Sequence, residues 1–219
     1  MKQNITIIQI FNNDEKLYAG GNLWYYAKKL FFAKNAKLGY HNFRHMIHVM
    51  YQVYDGIKCS NINPVAARYL LIAAMVHDYG HSGNKNKSDD FNIRRAVRGI
   101  KRHIHPDDKK DLKEIIRLVQ ATEWFGEAGH NLFERDMFVD ILRDADTSQT
   151  FDTSWMQQVI FGLGTELGKS PREMLEAQIP FLEKRVKFYS PWGIKKFTPI
   201  LKERIEEVKI WKEKVLTHE

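Results

Sequence analysis

Between Val65 and Val76 the chain is apolar at almost every position, interrupted only by Arg68. A helix with so little polar surface is expected at the centre of a domain, buried on most faces. Elsewhere the apolar positions recur at helical spacing: Ile93, Val97 and Ile100; Leu112, Ile115, Ile116 and Val119; Leu201, Ile205, Val208 and Val215. Each set predicts an amphipathic helix turned towards a shared core.

Start signals sharpen the boundaries. Asn42 reads as an N-cap, Asn63-Pro64 as a cap followed by proline at the first helical position, and Ser170-Pro171-Arg172-Glu173 as a capping box. Asp89-Asp90 and Pro106-Asp107-Asp108 open two more helices. The pattern further predicts a first helix from Asn13 or Asp14 towards Ala36, broken at Gly20-Gly21, and helices over Leu132 to Ala145 and Thr153 to Leu167. One from Ser170 towards Tyr189 should be kinked at Pro180, and a last one starts near Pro199. Only the first few residues hint at a strand. The expectation is an all-α, compact multi-helix bundle, with residues 1–219 forming a single domain.

Composition adds exclusions. Cys59 is alone, so no intrachain disulfide can form, which suits a reducing compartment. The run from Ile5 to Phe11 is too short for a membrane span or signal-peptide core, so no membrane association and a cytoplasmic location are expected. The net charge of +7 is spread over solvated faces, as at Lys109-Lys110 and Lys195-Lys196, without a compact basic motif interleaved with aromatics. Nucleic acid is not the expected partner. Neither a repeat nor a long linker divides the chain.

The chemistry is concentrated where the apolar helix ends, at His77-Asp78-Tyr79-Gly80-His81-Ser82-Gly83. An imidazole and a carboxylate delivered by a buried helix need a partner, because unpaired buried charge is costly. A divalent metal fits, since both groups are standard ligands. His45 on an earlier helix and Asp146 at the end of a later one complete a His, His-Asp, Asp set that packing could bring together. Isolated histidines such as His48, His103, His105 and His130 read as ordinary surface or core residues.

That ligand order, and the residues around it, resemble the class I 3′,5′-cyclic-nucleotide phosphodiesterases of the HD superfamily of metal-dependent phosphohydrolases. Tyr40-His41-Asn42-x-x-His45 is similar to that family's Tyr-His-Asn-x-x-His. His77-Asp78-x-x-His81-x-Gly83-x-x-Asn86 is similar to His-Asp-x-x-His-Pro-Gly-x-x-Asn, with Ser82 for the proline. Ala121-Thr122-Glu123-Trp124 stands for Ala-Thr-Asp-Met, Ala145-Asp146-Thr147-Ser148-Gln149 for Ala-Asp-x-Ser-Asn, and Gln178-x-x-Phe181 follows a Ser-Pro turn as the family's Gln-x-x-Phe does. The blocks occur in the family's order from Tyr40 to Tyr189.

The resemblance implies hydrolysis of cyclic AMP- or cyclic GMP-like substrates to 5′-monophosphates by a metal-bridging hydroxide. His45, His77, Asp78 and Asp146 would hold two divalent metals, zinc with magnesium or manganese, and His41 would be the general acid. His81 would stand beside the phosphate, with Gln178, Phe181, Gln149 and Tyr40 contacting the substrate. The family's Asn-Asp-x-Ser-x-x-x-Glu-x-His-His block is missing; Asn92-Ile93-Arg94-Arg95-Ala96 occupies its region, and Glu123 is a candidate replacement for the absent acid. The compact chain implies a catalytic module without a regulatory domain. The alternatives are another HD phosphohydrolase, acting on a nucleoside monophosphate, cyclic dinucleotide or nucleotide polyphosphate, and a non-catalytic nucleotide-binding module.

Overall fold

The computed structural model describes residues 6–17, 22–126, 129–130 and 135–216. Among these the chain is all-α, with no strand and one isolated bridge between Trp124 and His130. Ten α-helices follow in order: α1 (Ile7–Leu17), α2 (Leu23–Phe31), α3 (Phe43–Ser60), α4 (Pro64–Val76), α5 (Asp89–His103), α6 (Leu112–Ala121), α7 (Met137–Thr147), α8 (Gly164–Leu167), α9 (Pro171–Lys184) and α10 (Pro191–Leu216).

The apolar helix is α4, and it lies at the centre, packed against α2, α3, α6 and α7. Leu70, Leu71, Ile72 and Met75 are enclosed, each stabilising the fold by about 2 kcal/mol relative to exposure. Arg68, the one charge in the run, is also buried; its Nε donates to Asp108 Oδ1 at 2.6 Å. The other Asp108 oxygen accepts from Tyr26 Oη at 2.7 Å. Removing either partner would strand a buried charge, at a cost of about 3–5 kcal/mol. The enclosed side chains, from Ile10 of α1 to Val208 of α10, form one cluster.

The predicted caps at α3, α4 and α9 are present. Asn42 accepts from the His45 N–H, Asn63 from that of Ala66, and Ser170 and Glu173 bond reciprocally. Several boundaries differ from expectation. The first helix begins at Ile7 rather than Asn13 or Asp14, because Thr6 and Gln9 form their own reciprocal cap; the first five residues, where the sequence hints at a strand, lie outside the described residues. The break expected at Gly20-Gly21 lies outside the described residues. Pro106 opens a 3-10 turn, Pro106–Asp111, ahead of α6. Helix α7 starts at Met137, where Asp136 caps it; the expected start at Leu132 lies outside the described residues.

The segment expected as one α-helix over Thr153 to Leu167 is π-helical over Met156–Leu163 and becomes α-helical only in α8. Helix α9 runs through Pro180 and ends at Lys184, short of Tyr189. Helix α10 begins at Pro191 rather than Pro199, because Ser190-Pro191 is the stronger start. Ser190 Oγ accepts from the Gly193 N–H at 2.9 Å, and buried Asp144 of α7 receives the N–H groups of Tyr189 and Ser190 and the Ser190 hydroxyl.

Candidate active site

The end of α4 turns sharply. Asp78 O accepts from the His81 N–H at 2.9 Å, and Gly80 adopts a φ of 74°, a left-handed conformation that glycine reaches without strain. Asn35, buried in the 3-10 turn Lys34–Lys37, fixes this bend. Its Nδ2 donates to the carbonyls of His41 (2.8 Å) and Asp78 (3.0 Å), and its Oδ1 accepts from the Gly80 N–H at 2.9 Å. One amide therefore ties the loop before α3 to the turn after α4.

Helices α3, α4 and α7 bring His45, His77, Asp78 and Asp146 together. His45 Nε2 lies 3.1 Å from Asp146 Oδ1 and 3.4 Å from Asp78 Oδ2. His77 Nε2 lies 3.1 Å from Asp78 Oδ2 and 3.3 Å from Asp146 Oδ1. Ligand atoms of His45, His77 and Asp146 all fall within 4.8 Å of one another. His77 Nδ1 donates to Ala74 O at 2.8 Å, which fixes the tautomer and leaves the Nε2 lone pair facing the carboxylates.

That Nε2 is buried and makes no hydrogen bond, although two carboxylate oxygens stand close by. His45 Nε2 is within hydrogen-bond distance of Asp146 Oδ1, but the orphaned His77 Nε2 between two carboxylates suits a shared cation, so the set fits a divalent metal. His45 Nδ1 is also buried without a partner. Burial opposes ionisation of Asp78 and Asp146, but positive charge beside them, on the neighbouring histidines when these are protonated, outweighs it and lowers both carboxyls.

A second group faces the first. His41 Nδ1 lies 2.7 Å from Glu166 Oε2, while Glu166 Oε1 accepts from the backbone N–H groups of Tyr40 (2.5 Å) and His41 (2.9 Å). Burial would raise the Glu166 pKa, yet the His41 contact and these donors lower it, so Glu166 is an ionised acceptor and His41 carries its proton on Nδ1. His81 stacks on His41, with ring centroids 3.7 Å apart. Its Nδ1 accepts from the Gly83 N–H at 3.1 Å, so neutral His81 carries its proton on Nε2. Burial, reinforced by the neighbouring His41, pushes its pKa down to about 4.

His77, Asp78 and Asp146 of the first group and His41, His81 and Glu166 of the second line one cavity of about 590 Å³, within the size range of ligand pockets; His45 lies buried behind it. Tyr40, Gln178 and Phe181 are among its lining residues, and the Tyr40 ring lies 4.6 Å from that of His45. Gln178 is buried, with Nε2 donating to Thr150 Oγ1 at 3.0 Å, and Phe181 faces Trp124 at 6.1 Å. Gln149 is buried and donates to Ser154 at 3.4 Å; Thr150, one residue on, reaches the cavity instead. Glu123 lies in a separate surface hollow with Asp90 and Arg94.

The additional acids lining the cavity are Glu166 and Asp89, whose carboxyl burial pushes up to about 6. Sequence reasoning missed Glu166 and Asn35. Neither lies in a recognisable block, and both reach the site only through tertiary packing.

No described helix is long and apolar enough to cross a membrane. No curated protein matches the chain. Residues 40–96 match the family model described as 3'5'-cyclic nucleotide phosphodiesterase, which supports a phosphodiesterase-type hydrolase at family level. The chain thus resembles the 3'5'-cyclic nucleotide phosphodiesterases over residues 40–96, the stretch that supplies His41, His45, His77, Asp78 and His81.

Proposed function

We propose that the protein is a metal-dependent phosphodiesterase that hydrolyses a 3′,5′-cyclic nucleotide to its 5′-monophosphate. The observation that carries this reading is the pairing of two groups at one cavity: His77, Asp78 and Asp146, backed by buried His45, and the Glu166-bonded His41. A site for metal alone would need only the first group.

His45, His77, Asp78 and Asp146 would hold one divalent ion, with Asp78 extending to a second; imidazole suits zinc, and oxygen-rich coordination suits magnesium or manganese. Bound there, the ions supply Lewis acidity for activating water and neutralise charge on the phosphoryl group. Water adds to phosphorus and the bond to the ribose 3′ oxygen breaks, so that oxygen must gain a proton. His41 is suited to deliver it. Its Nδ1–H is held by Glu166, which orients the ring and leaves Nε2 as the position from which the proton is given.

Neutral His81 offers its Nε2–H to a phosphoryl oxygen without adding a competing charge. Gln178, its amide fixed by Thr150, and Phe181 share one face of α9 and form the surface for the base.

Two measurements on purified protein test the reading together. Metal analysis is expected to find divalent metal that Asp78→Ala strongly reduces, and metal-loaded wild type is expected to convert cyclic AMP or cyclic GMP to the 5′-monophosphate. Metal binding without turnover of either nucleotide would overturn the substrate assignment. Nucleotide binding with no metal uptake would overturn the enzyme assignment.

A further inference from the structure

On the outer side of the turn that carries Asp78 lies a second cavity, of about 410 Å³, lined by Lys34, Tyr79, Arg95, Arg98, Arg102 and His103 with the backbone of Ala33, Gly80 and Gly99. Four permanent cations face one concavity, and no carboxylate contributes to its lining. Lys34, Arg98 and Arg102 make no ion pair among the described residues; Arg95 instead donates from Nε to the Gly80 carbonyl at 2.5 Å. Several other arginines are neutralised, as in Arg94 with Asp90, Arg117 with Glu114 and Asp136, and Arg135 with Asp140. Positive charge is therefore gathered here with no carboxylate in the lining to offset it.

The hollow has definite walls. Arg95, Arg98 and Arg102 fall on one face of α5 at intervals of three and four residues, while Lys34 comes from the 3-10 turn opposite. Tyr79 closes the space between them and packs so tightly on α5 that a Cβ at Gly99 would collide with its ring. Half-buried Arg95 is anchored by Gly80 and lies over the Phe91 ring, 5.7 Å from its centroid, so one guanidinium is held in place before any ligand arrives. The Tyr79 and His103 rings, 5.7 Å apart, add aromatic surface.

We propose that this cavity is a second, non-catalytic binding site for a small polyphosphate anion: the phosphate chain of a nucleoside di- or triphosphate, or a free inorganic polyphosphate of the same chemistry. Guanidinium groups bind phosphate oxygens through paired N–H donors. Three of them with a lysine exceed what a single phosphate requires and match a chain of two or three. A hollow of this volume suits a compact chain of two or three phosphates, whereas an extended nucleic-acid backbone is read along a longer basic surface.

The test is isothermal titration of pyrophosphate, tripolyphosphate and a nucleoside triphosphate into wild type and into the double variant Arg98→Ala/Arg102→Ala, at fixed ionic strength. Unfolding temperature and metal content are measured on both proteins. Neither substituted residue touches the catalytic cavity, so binding there is common to both. The expected result is that the variant keeps its stability and metal but binds polyphosphate roughly tenfold or more weakly, as loss of hydrogen bonds between charged groups requires.

A nucleoside triphosphate that outbinds tripolyphosphate would identify the nucleotide as the ligand; equal affinities would assign recognition to the phosphate chain alone. Equal affinity in wild type and variant, or no polyphosphate binding by wild type, would overturn the proposal. So would binding of single-stranded RNA or DNA that depends on these arginines when polyphosphate does not bind.

Discussion

At the scale of single residues, the contrast between His41 and His81 organises the candidate site. Two stacked imidazoles cannot both be cationic without mutual repulsion. Glu166 bonds the first, whereas the second spends Nδ1 on the Gly83 N–H. Glu166→Gln preserves most of the shape but removes the carboxylate that holds and orients the His41 Nδ1–H. It is expected to lower kcat by about 10²-fold, at the lower end of what general acid–base catalysis contributes, with little change in KM or metal content; an unchanged kcat would remove His41–Glu166 from the chemistry.

The metal-ligand candidates were legible in the sequence because His77-Asp78 is contiguous and each partner sits in a recognisable local block. Glu166 was not, because nothing near it in sequence announces a partner at residue 41. Asn35 was hidden for the same reason: its three bonds run to backbone groups of His41, Asp78 and Gly80, and backbone partners leave no trace in a pattern of side chains.

At the scale of elements, the approach of Gly39 to Gly162 is what lets Glu166 reach His41. A Cβ on either glycine would collide with the carbonyl of the other, so the loop before α3 and the π-helical segment before α8 meet backbone to backbone. Gly162→Ala is expected to push them apart, destabilising the protein by about 1–3 kcal/mol, as overpacking does. Activity should fall more than the loss of stability explains. Denaturant unfolding read beside kcat checks this, and a fully active variant would show that the approach is not needed.

Helix starts with Ser, Thr or Asn caps were readable at α3, α4 and α9 because the chemistry is local. The start of α10 was misread because Pro191 and Pro199 both fit a first-turn proline. The decisive partner of Ser190-Pro191 is Asp144, far away in sequence. The π-helical stretch leaves the apolar spacing close enough to α-helical that periodicity alone does not mark it.

At the scale of the whole molecule, a fold that buries neutral histidines becomes sensitive to acid. Burial pushes His130 down to about 4, against an ordinary value near 6.5. Between these values the unfolded chain binds a proton that the folded chain does not, so this group makes stability fall as pH drops from about 6.5 to about 4. His130→Phe is expected to narrow the difference in unfolding temperature between pH 7 and pH 5. An equal or wider difference would mean that His130 is protonated in the folded protein.

The all-α bundle itself was legible at this scale, since the uniformly apolar α4 had to be central. The basic hollow beside its terminal turn was not, because the even spread of lysines along the sequence hides how α5 gathers its arginines on one face.

The most direct test of the central claim is hydrolysis of a 3′,5′-cyclic nucleotide in ¹⁸O-labelled water, followed by phosphorus NMR and mass spectrometry of the product. The expected product is the 5′-monophosphate with one labelled oxygen on phosphorus, formed by metal-loaded wild type and not by Asp78→Ala. A 3′-monophosphate, an unlabelled phosphate, or turnover that survives Asp78→Ala would contradict the account.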